Sequence, residues 1–362
     1  MNKLGFGFLR LPLVDGQIDF ETTNQMVDTY LAAGGRVFDT AYTYSDGDSE
    51  RAIGKALSSR HPRESFHLIT KLPGYQAKSY EDCFNFFEES ARRCGVEYFD
   101  TYMLHWMCQK HYKIAQELRQ FDFLKELKAT GKAKRIGFSF HDTPQLLDQI
   151  LTEHPETDCV LLQINYLDWE APGIQSRACY EVAKKHGKDV IVMEPVKGGT
   201  LAKVPEEAAK LLDTLEPGRS PAYHAVRFVQ SLPGVQTVLS GMSSMAQLEE
   251  NLREVTPMGE EENAVMAKAA AIIRAATAIG CTGCGYCVSH CPKEVPIPKL
   301  FGLYNTYSSY PRHLWKVKPA YRQLPVTASA CVGCGSCESH CPQKLPIPEH
   351  MQTIAGVFEK KS

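Results

Sequence analysis

Residues 281–298 read CTGCGYCVSHCPKEVPIP, and residues 331–348 read CVGCGSCESHCPQKLPIP. The segments lie 50 residues apart and agree at 12 of 18 positions, so they are copies of one unit. Each is C-x2-C-x2-C-x3-C-P. Eight of the chain's 13 cysteines fall between Cys281 and Cys341. Thiols this crowded are either cross-linked or bound to metal, and the compartment decides between the two. Met1–Pro12 carries one Lys, one Arg and an apolar stretch broken by Gly5 and Gly7, unlike a secretory leader. No run approaches the ~20 apolar residues of a membrane span. The expected location is the cytoplasm, where clustered Cys read as metal ligands.

The spacing narrows the metal. Three thiolates two residues apart, on a tight Gly-containing loop, can wrap three corners of a [4Fe–4S] cube. The fourth Cys, just before Pro, points away and serves the other cube, as in bacterial two-cluster ferredoxins. Cys281, Cys284, Cys287 and Cys341 are the expected ligands of one cluster. Cys331, Cys334, Cys337 and Cys291 are those of the second. Zinc is the alternative, but its sites show paired C-x2-C knuckles, and a triple run wastes a ligand. Disulfides fit the expected compartment poorly. Cys83, Cys94, Cys108, Cys159 and Cys179 are scattered and read as small buried apolar residues.

Charge is distributed to match. Lys+Arg 40 against Asp+Glu 42 gives a net charge of −2 over 362 residues. That balance offers no electrostatic case for nucleic acid or an anionic membrane as the main partner. Residues 281–362 hold nine Lys/Arg and four Asp/Glu, so the tail is +5 and the remainder −7. Two cubes with their thiolates, each about −2 when oxidised, would bring the tail near neutrality.

Upstream, eight short β-prone runs follow in order: Leu4–Phe8, Arg36–Asp39, His67–Lys71, Phe99–His105, Lys134–Ser139, Cys159–Asn165, Asp189–Glu194 and Val235–Ser240. Helical patterns separate most of them, clearest at Thr22–Ala33, Ser49–Ser58, Tyr80–Cys94, Gln116–Thr130 and Gln175–His186. Strand alternating with helix implies a parallel sheet. Eight units in about 255 residues fit an α/β fold of the (β/α)8 TIM-barrel kind. A doubly wound open sheet is the alternative, but no G-x-G-x-x-G follows the first strand. The expected organisation is a barrel over 1–258, a linking helix over 259–280, and a ferredoxin-like α+β domain with two [4Fe–4S] clusters over 281–362.

In such a barrel, chemistry sits at the C-terminal ends of the strands. Asp39 ends the second run, Tyr44 follows five residues later, Lys71 ends the third and His105 the fourth. Taken singly these are a cap, a solvated charge and a core histidine; together at successive strand ends they are a candidate site. The segments FDTAYTYSDGDSERAIGKAL (38–57), LITKL (68–72) and DTYMLHW (100–106) resemble the aldo-keto reductase family. The likeness covers residues 4–253 and continues in RIGFSF (135–140), LLQINY (161–166), VIVMEPVKGG (190–199) and LSGMSSMAQLEENL (239–252). The whole chain is similar to members that carry a C-terminal 4Fe–4S dicluster domain.

The resemblance implies an oxidoreductase moving a hydride between NADPH or NADH and a small carbonyl or alcohol. Its tetrad falls on Asp39, Tyr44, Lys71 and His105. Tyr44 is the implied proton donor, with its pKa lowered by Lys71; Asp39 holds Lys71, and His105 orients the carbonyl oxygen. Ser139 and Gln163 are the implied grip on the nicotinamide carboxamide; Phe140 stands where the family often has Asn, so that donor is either missing or replaced, with His141 the candidate. Met193 stands where an aromatic ring commonly stacks on the nicotinamide. Gly241, Ser243, Gln247, Glu250 and Asn251 match positions that wrap the adenosine phosphate end. Gly241 and Gln247 replace the Lys and Arg that some reductases use for a 2′-phosphate, which leaves NADH and NADPH both open.

Residues 299–330 hold Tyr304, Tyr307, Tyr310, Trp315 and Tyr321, either an aromatic cover or part of an active-site wall. Nicotinamide delivers two electrons as hydride, whereas a [4Fe–4S] cluster takes one. A flavin would divide the pair, and no flavin motif is legible. Three readings stand open: clusters exchanging electrons with the barrel or a redox partner protein, a reductase with structural or docking clusters, and a nicotinamide-binding redox sensor.

Overall fold

The computed structural model describes residues 3–171, 174–309 and 314–359. The chain divides into two compact units: Met1–Pro195 with Tyr223–Gly259, and Val196–Ala222 with Glu260–Ser362.

The first unit is a closed barrel of eight parallel strands. These are β1 (Leu4–Gly7), β2 (Val37–Asp39), β3 (His67–Leu72), β4 (Phe99–Met107), β5 (Ala133–Phe140), β6 (Cys159–Gln163), β7 (Asp189–Met193) and β8 (Val235–Gly241). Each pairs with its neighbours in sequence, and β8 closes on β1. Inward-facing Ile69, Met103, Cys159, Leu161, Ile191 and Leu239 fill the lumen, so it is a packed core rather than a pore. Gly137 has a packing reason: a Cβ there would stand 2.3 Å from the Cys159 carbonyl oxygen.

Local chemistry sets the helix ends. Asp19 accepts from the Glu21 and Thr22 amides and opens Phe20–Ala32. Ser79 and Asp82 form a capping box that opens Tyr80–Cys94, and Gly95, at φ 65°, closes it. The helical pattern at 116–130 is in fact the end of one helix and the whole of another, Gln109–Glu117 and Gln120–Ala129. Arg119 breaks them in left-handed geometry at φ 51°, without the Gly or Pro that marks such a break in a sequence. A small hairpin, Leu13–Val14 with Gln17–Ile18, is a further element outside the eight-strand reading.

In the second unit, the helix Glu206–Asp213 packs on the helix Glu260–Ala276. The repeat persists in three dimensions: each motif runs into a helix, Ile297–Ser309 after the first and Ile347–Phe358 after the second. Val295, Leu300, Phe301, Met351, Ile354 and Phe358 form a buried apolar core there. Among its described residues the unit has helices and irregular segments but no strand. The C-P-x-x-x-P-I-P stretches account for part of this, since proline removes ladder donors. Tyr321 stacks on Phe358 at 4.6 Å and its hydroxyl donates to Glu359, so this ring serves the unit's own core. Tyr307 also meets Phe358, at 5.7 Å. Tyr310 and the side chain of Trp315 lie outside the described residues. No helix among the described residues is long and apolar enough to cross a membrane.

Candidate functional site

β2, β3 and β4 deliver three polar side chains to one place. Lys71 is fully buried, and its Nζ donates to Asp39 Oδ1 at 2.7 Å, Asp39 Oδ2 at 2.9 Å and the Thr40 carbonyl oxygen at 2.7 Å. It reaches the Tyr44 hydroxyl at 3.4 Å. Tyr44 opens a turn, Tyr44–Gly47, in which Ser45, Asp46 and Gly47 all take left-handed geometry. That turn sets the phenol against the His105 ring, centroids 5.7 Å apart and edge-on. The four residues named from strand ends are therefore brought together.

Burial governs their protonation. It pushes Asp39 up and Lys71 down, while their mutual contact opposes both shifts. His105 is pushed well below the ordinary imidazole value, first by burial and then by Lys71, His141 and His111, so its ring is neutral. Its Nδ1 is buried with no hydrogen-bond partner among the described residues. Tyr44 is raised well above the ordinary phenol value, by burial first and then by Asp39, Glu194 and Tyr75. This corrects the expectation that Lys71 lowers it. The bidentate Asp39 contact offsets the ammonium's charge, and removing the phenolate from water costs more than the remaining attraction returns.

Several residues at this end of the barrel were not legible beforehand. Tyr75 stacks on His111 at 4.8 Å and stands 6.4 Å from His105. Trp106 meets Tyr75, His111 and His141 at 6.0, 5.6 and 6.2 Å. It sits at φ 57°, where the β4–β5 register shifts between Leu104 and Met107, a bulge that re-aims the strand end. Only its place directly after His105 hinted at this. Buried Glu50 accepts from Thr70 at 2.8 Å and helps to keep Lys71 charged; it stands six residues after Tyr44 in the segment that carried the resemblance.

The expected cofactor residues end the remaining strands. Ser139, in β5, accepts from the Trp106 amide at 2.7 Å, which leaves its own hydroxyl proton to donate. Gln163, the last residue of β6, donates to Asp168 at 2.8 Å. Met193, ending β7, packs against the lumen core. Gly241 ends β8 against Arg10, 3.2 Å from where a Cβ would stand. Ser243 donates to the Arg10 carbonyl oxygen at 2.8 Å, and its amide donates to Gln247 at 2.7 Å. Asn251 donates to Ser240 at 3.1 Å, and Glu250 precedes it in the helix Met245–Asn251. Buried, polar Ser139 and Gln163 at the tetrad's end of the barrel are a donor set that fits an amide-bearing ring.

The second unit carries the eight crowded thiols. Cys281, Cys284, Cys287 and Cys341 line one cavity, and Cys331, Cys334, Cys337 and Cys291 line another. Each set of four named from the spacing thus shares one cavity. Gly283 and Gly285 in the first loop, and Gly333 and Gly335 in the second, lie at φ 69–83°, which a side chain would strain. Among the described residues no three His, Cys, Asp or Glu side chains are arranged to hold a single metal ion. A cube takes a different thiolate at each corner, so it needs four separated sulfurs around a space, and this donor set fits it.

The profile of the Aldo/keto reductase family matches residues 3–271, and that of the 4Fe-4S dicluster domain matches residues 280–345. An aldo-keto reductase of Mycobacterium avium is 30% identical over 253 residues, covering 70% of this chain and 80% of its own. Methylglyoxal reductase of Escherichia coli is 32% identical over 109 residues, 30% of this chain and 36% of that one. Among solved structures, the holo form of an aldo-keto reductase from Bacillus halodurans superposes with a TM-score of 0.61 at 25% identity, covering 74% of this chain and 91% of that one. An aldo-keto reductase of Klebsiella pneumoniae in complex with NADPH shares the fold, with a TM-score of 0.57 at 21% identity over 74% of this chain and 90% of that one.

Proposed function

The chain belongs to the aldo/keto reductase family, and on that premise we propose that it reduces a small aldehyde or ketone to the alcohol with NADPH or NADH. The observation that carries this reading is the placement of the Tyr44 phenol, 3.4 Å from the Lys71 ammonium and edge-on to His105 at 5.7 Å. A general acid must hold its proton until the carbonyl oxygen needs it; a base would have to be a phenolate at the start.

When bound, the nicotinamide supplies the hydride. Tyr44 delivers the proton to the oxygen on which charge develops. Neutral His105 donates a hydrogen bond to that oxygen and orients it. Lys71 donates to the Tyr44 oxygen, so its attraction grows as the phenol gives up its proton. Asp39 keeps Lys71 charged and aimed. Ser139 and Gln163 would hold the carboxamide, Met193 would line the ring's side, and Gly241, Ser243, Gln247, Glu250 and Asn251 would take the adenosine phosphate end. The similarity to a methylglyoxal reductase and to an NADPH complex supports this substrate class and this cofactor. Y44F is the test: turnover of an aldehyde and ketone panel retained at wild-type rates would overturn the assignment.

The dicluster domain's two thiol sets would hold two [4Fe–4S] clusters that exchange single electrons with the barrel or with a redox partner protein. A second reading, structural clusters, is favoured by the placement of Cys287 and Cys337 inside the unit's apolar core, each 7% exposed. Anaerobic stopped-flow mixing with NAD(P)H tests the exchange with the barrel. Bleaching near about 400 nm supports electron exchange with the barrel, and constant absorbance supports the structural reading or a partner protein.

A further inference from the structure

Positions matched by the 50-residue repeat have unmatched surroundings. Thr282 is buried, whereas its counterpart Val332 is 59% exposed. Cys284 is half-buried and its counterpart Cys334 exposed. A distant turn lies on the first motif: a Cβ on Gly198 would stand 2.2 Å from the Thr282 carbonyl oxygen, so backbone meets backbone there. Lys197, at φ 48°, precedes that glycine and is 4% exposed. Its Nζ donates to Gln343 Oε1 at 2.9 Å. Gln343 and Thr282 line the same cavity as Cys281, Cys284, Cys287 and Cys341. In the other copy Gln343 is matched by Lys293, which is exposed and lines the second cavity.

A buried ammonium, Lys197, thus stands beside the first set through Gln343, whereas Lys293 at the second stands in water. A charge acts much more strongly through a protein interior than through solvent. A cluster that accepts an electron gains one unit of negative charge, which a fixed cation stabilises. We propose that Lys197 makes the set Cys281, Cys284, Cys287 and Cys341 the stronger electron acceptor of the pair, so that an electron arriving at the open Val332–Cys334 loop passes on to it. In that step the second cluster is oxidised by one electron and the first reduced by one, with no bond or proton changing place. The proposal rests on the two-cluster reading above.

The test is an EPR-monitored redox titration, with dithionite as reductant, of the anaerobically purified full chain and of K197Q, K197R and K293Q. Iron and acid-labile sulfide are counted first. The wild type should give two midpoints. K197Q should lower the upper one by about tenfold in the reduction equilibrium, about 59 mV for one electron, and leave the lower one in place. K197R should sit near the wild type, and K293Q should move either midpoint by less than about threefold (about 28 mV). Unmoved midpoints in K197Q, equal shifts of both, or a K197R as low as K197Q would each overturn the proposal while the cluster reading stands. Fewer than about eight irons per wild-type chain would overturn both. Should K197Q fail to take up iron, Q343E carries the test: a carboxylate against the same ammonium must lower the upper midpoint, and an unchanged one overturns the proposal.

Discussion

The two units differ in what meets their buried charges and their thiols. In the barrel the buried charges near the tetrad are met by protein: Asp39 answers Lys71, and Glu50 is answered by Thr70 at 2.8 Å and Arg93 at 3.2 Å. In the second unit eight thiols are gathered in two sets of four, each set lining one cavity. The barrel's buried charges are met by its own side chains; the second unit's thiols are gathered as ligands, in keeping with the match to a 4Fe-4S dicluster domain. A cofactor can thus enter a fold either as a guest at a finished site or as a component of the core.

The largest effect should come from removing that component. Iron chelation under reducing conditions should abolish the cooperative melting transition of the second unit and leave the barrel's transition in place, as followed by calorimetry. A barrel transition lost in step with the iron would erase the contrast. Next, Y44F should lower kcat for carbonyl reduction by about 10²–10⁴-fold with iron content unchanged. D39N leaves a fully buried ammonium without its countercharge and should cost about 3–5 kcal/mol of barrel stability in denaturant melts. A loss below about 1 kcal/mol would mean that the Asp39–Lys71 pair is not what keeps Lys71 charged.

The pH response should be smaller. His105 has a folded pKa well below its unfolded one, so it is neutral through the neutral range, and Tyr44 is a phenol there too. kcat/KM for reduction should show no break from either group between about pH 6.5 and 9. Below about pH 6.5 the unfolded chain takes up a proton that buried His105 refuses, so barrel stability should fall with pH in that window. Smallest of all is a labelling contrast. Burial pushes Cys83 and Cys159 up to about 12, and iodoacetamide should leave them unmodified in the native chain. Exposed Cys334 should be alkylated once the iron is removed.

The eight barrel strands were readable because each is a short β-branched or aromatic run between helical patterns. The tetrad was readable because it sits at strand ends, and the thiol sets because a twofold repeat carries its own internal check. Other features lay beyond that kind of reading. Trp106 owes its place to a register shift, and the contact of Tyr75 with His111 joins a turn after one strand to the helix Gln109–Glu117 after the next. The direction of the Tyr44 shift depends on how completely Asp39 offsets Lys71, which is a matter of distances. Residues 196–222 read as continuous with the barrel, and only their packing assigns them to the second unit.

That assignment bears on how the protein can be made and cut. During synthesis Val196–Ala222 leaves the ribosome before the helix Glu260–Ala276 that its own helix packs on exists. It must wait, with an apolar face unburied, for the last third of the chain. A chain stopped at Gly259 would keep all eight barrel strands and still expose that waiting segment, a ready site for proteolysis or aggregation. The second unit expressed from residue 260 onward would lack Lys197 and the turn that covers Thr282. Neither piece is a module in the sense of something that can be lifted out whole.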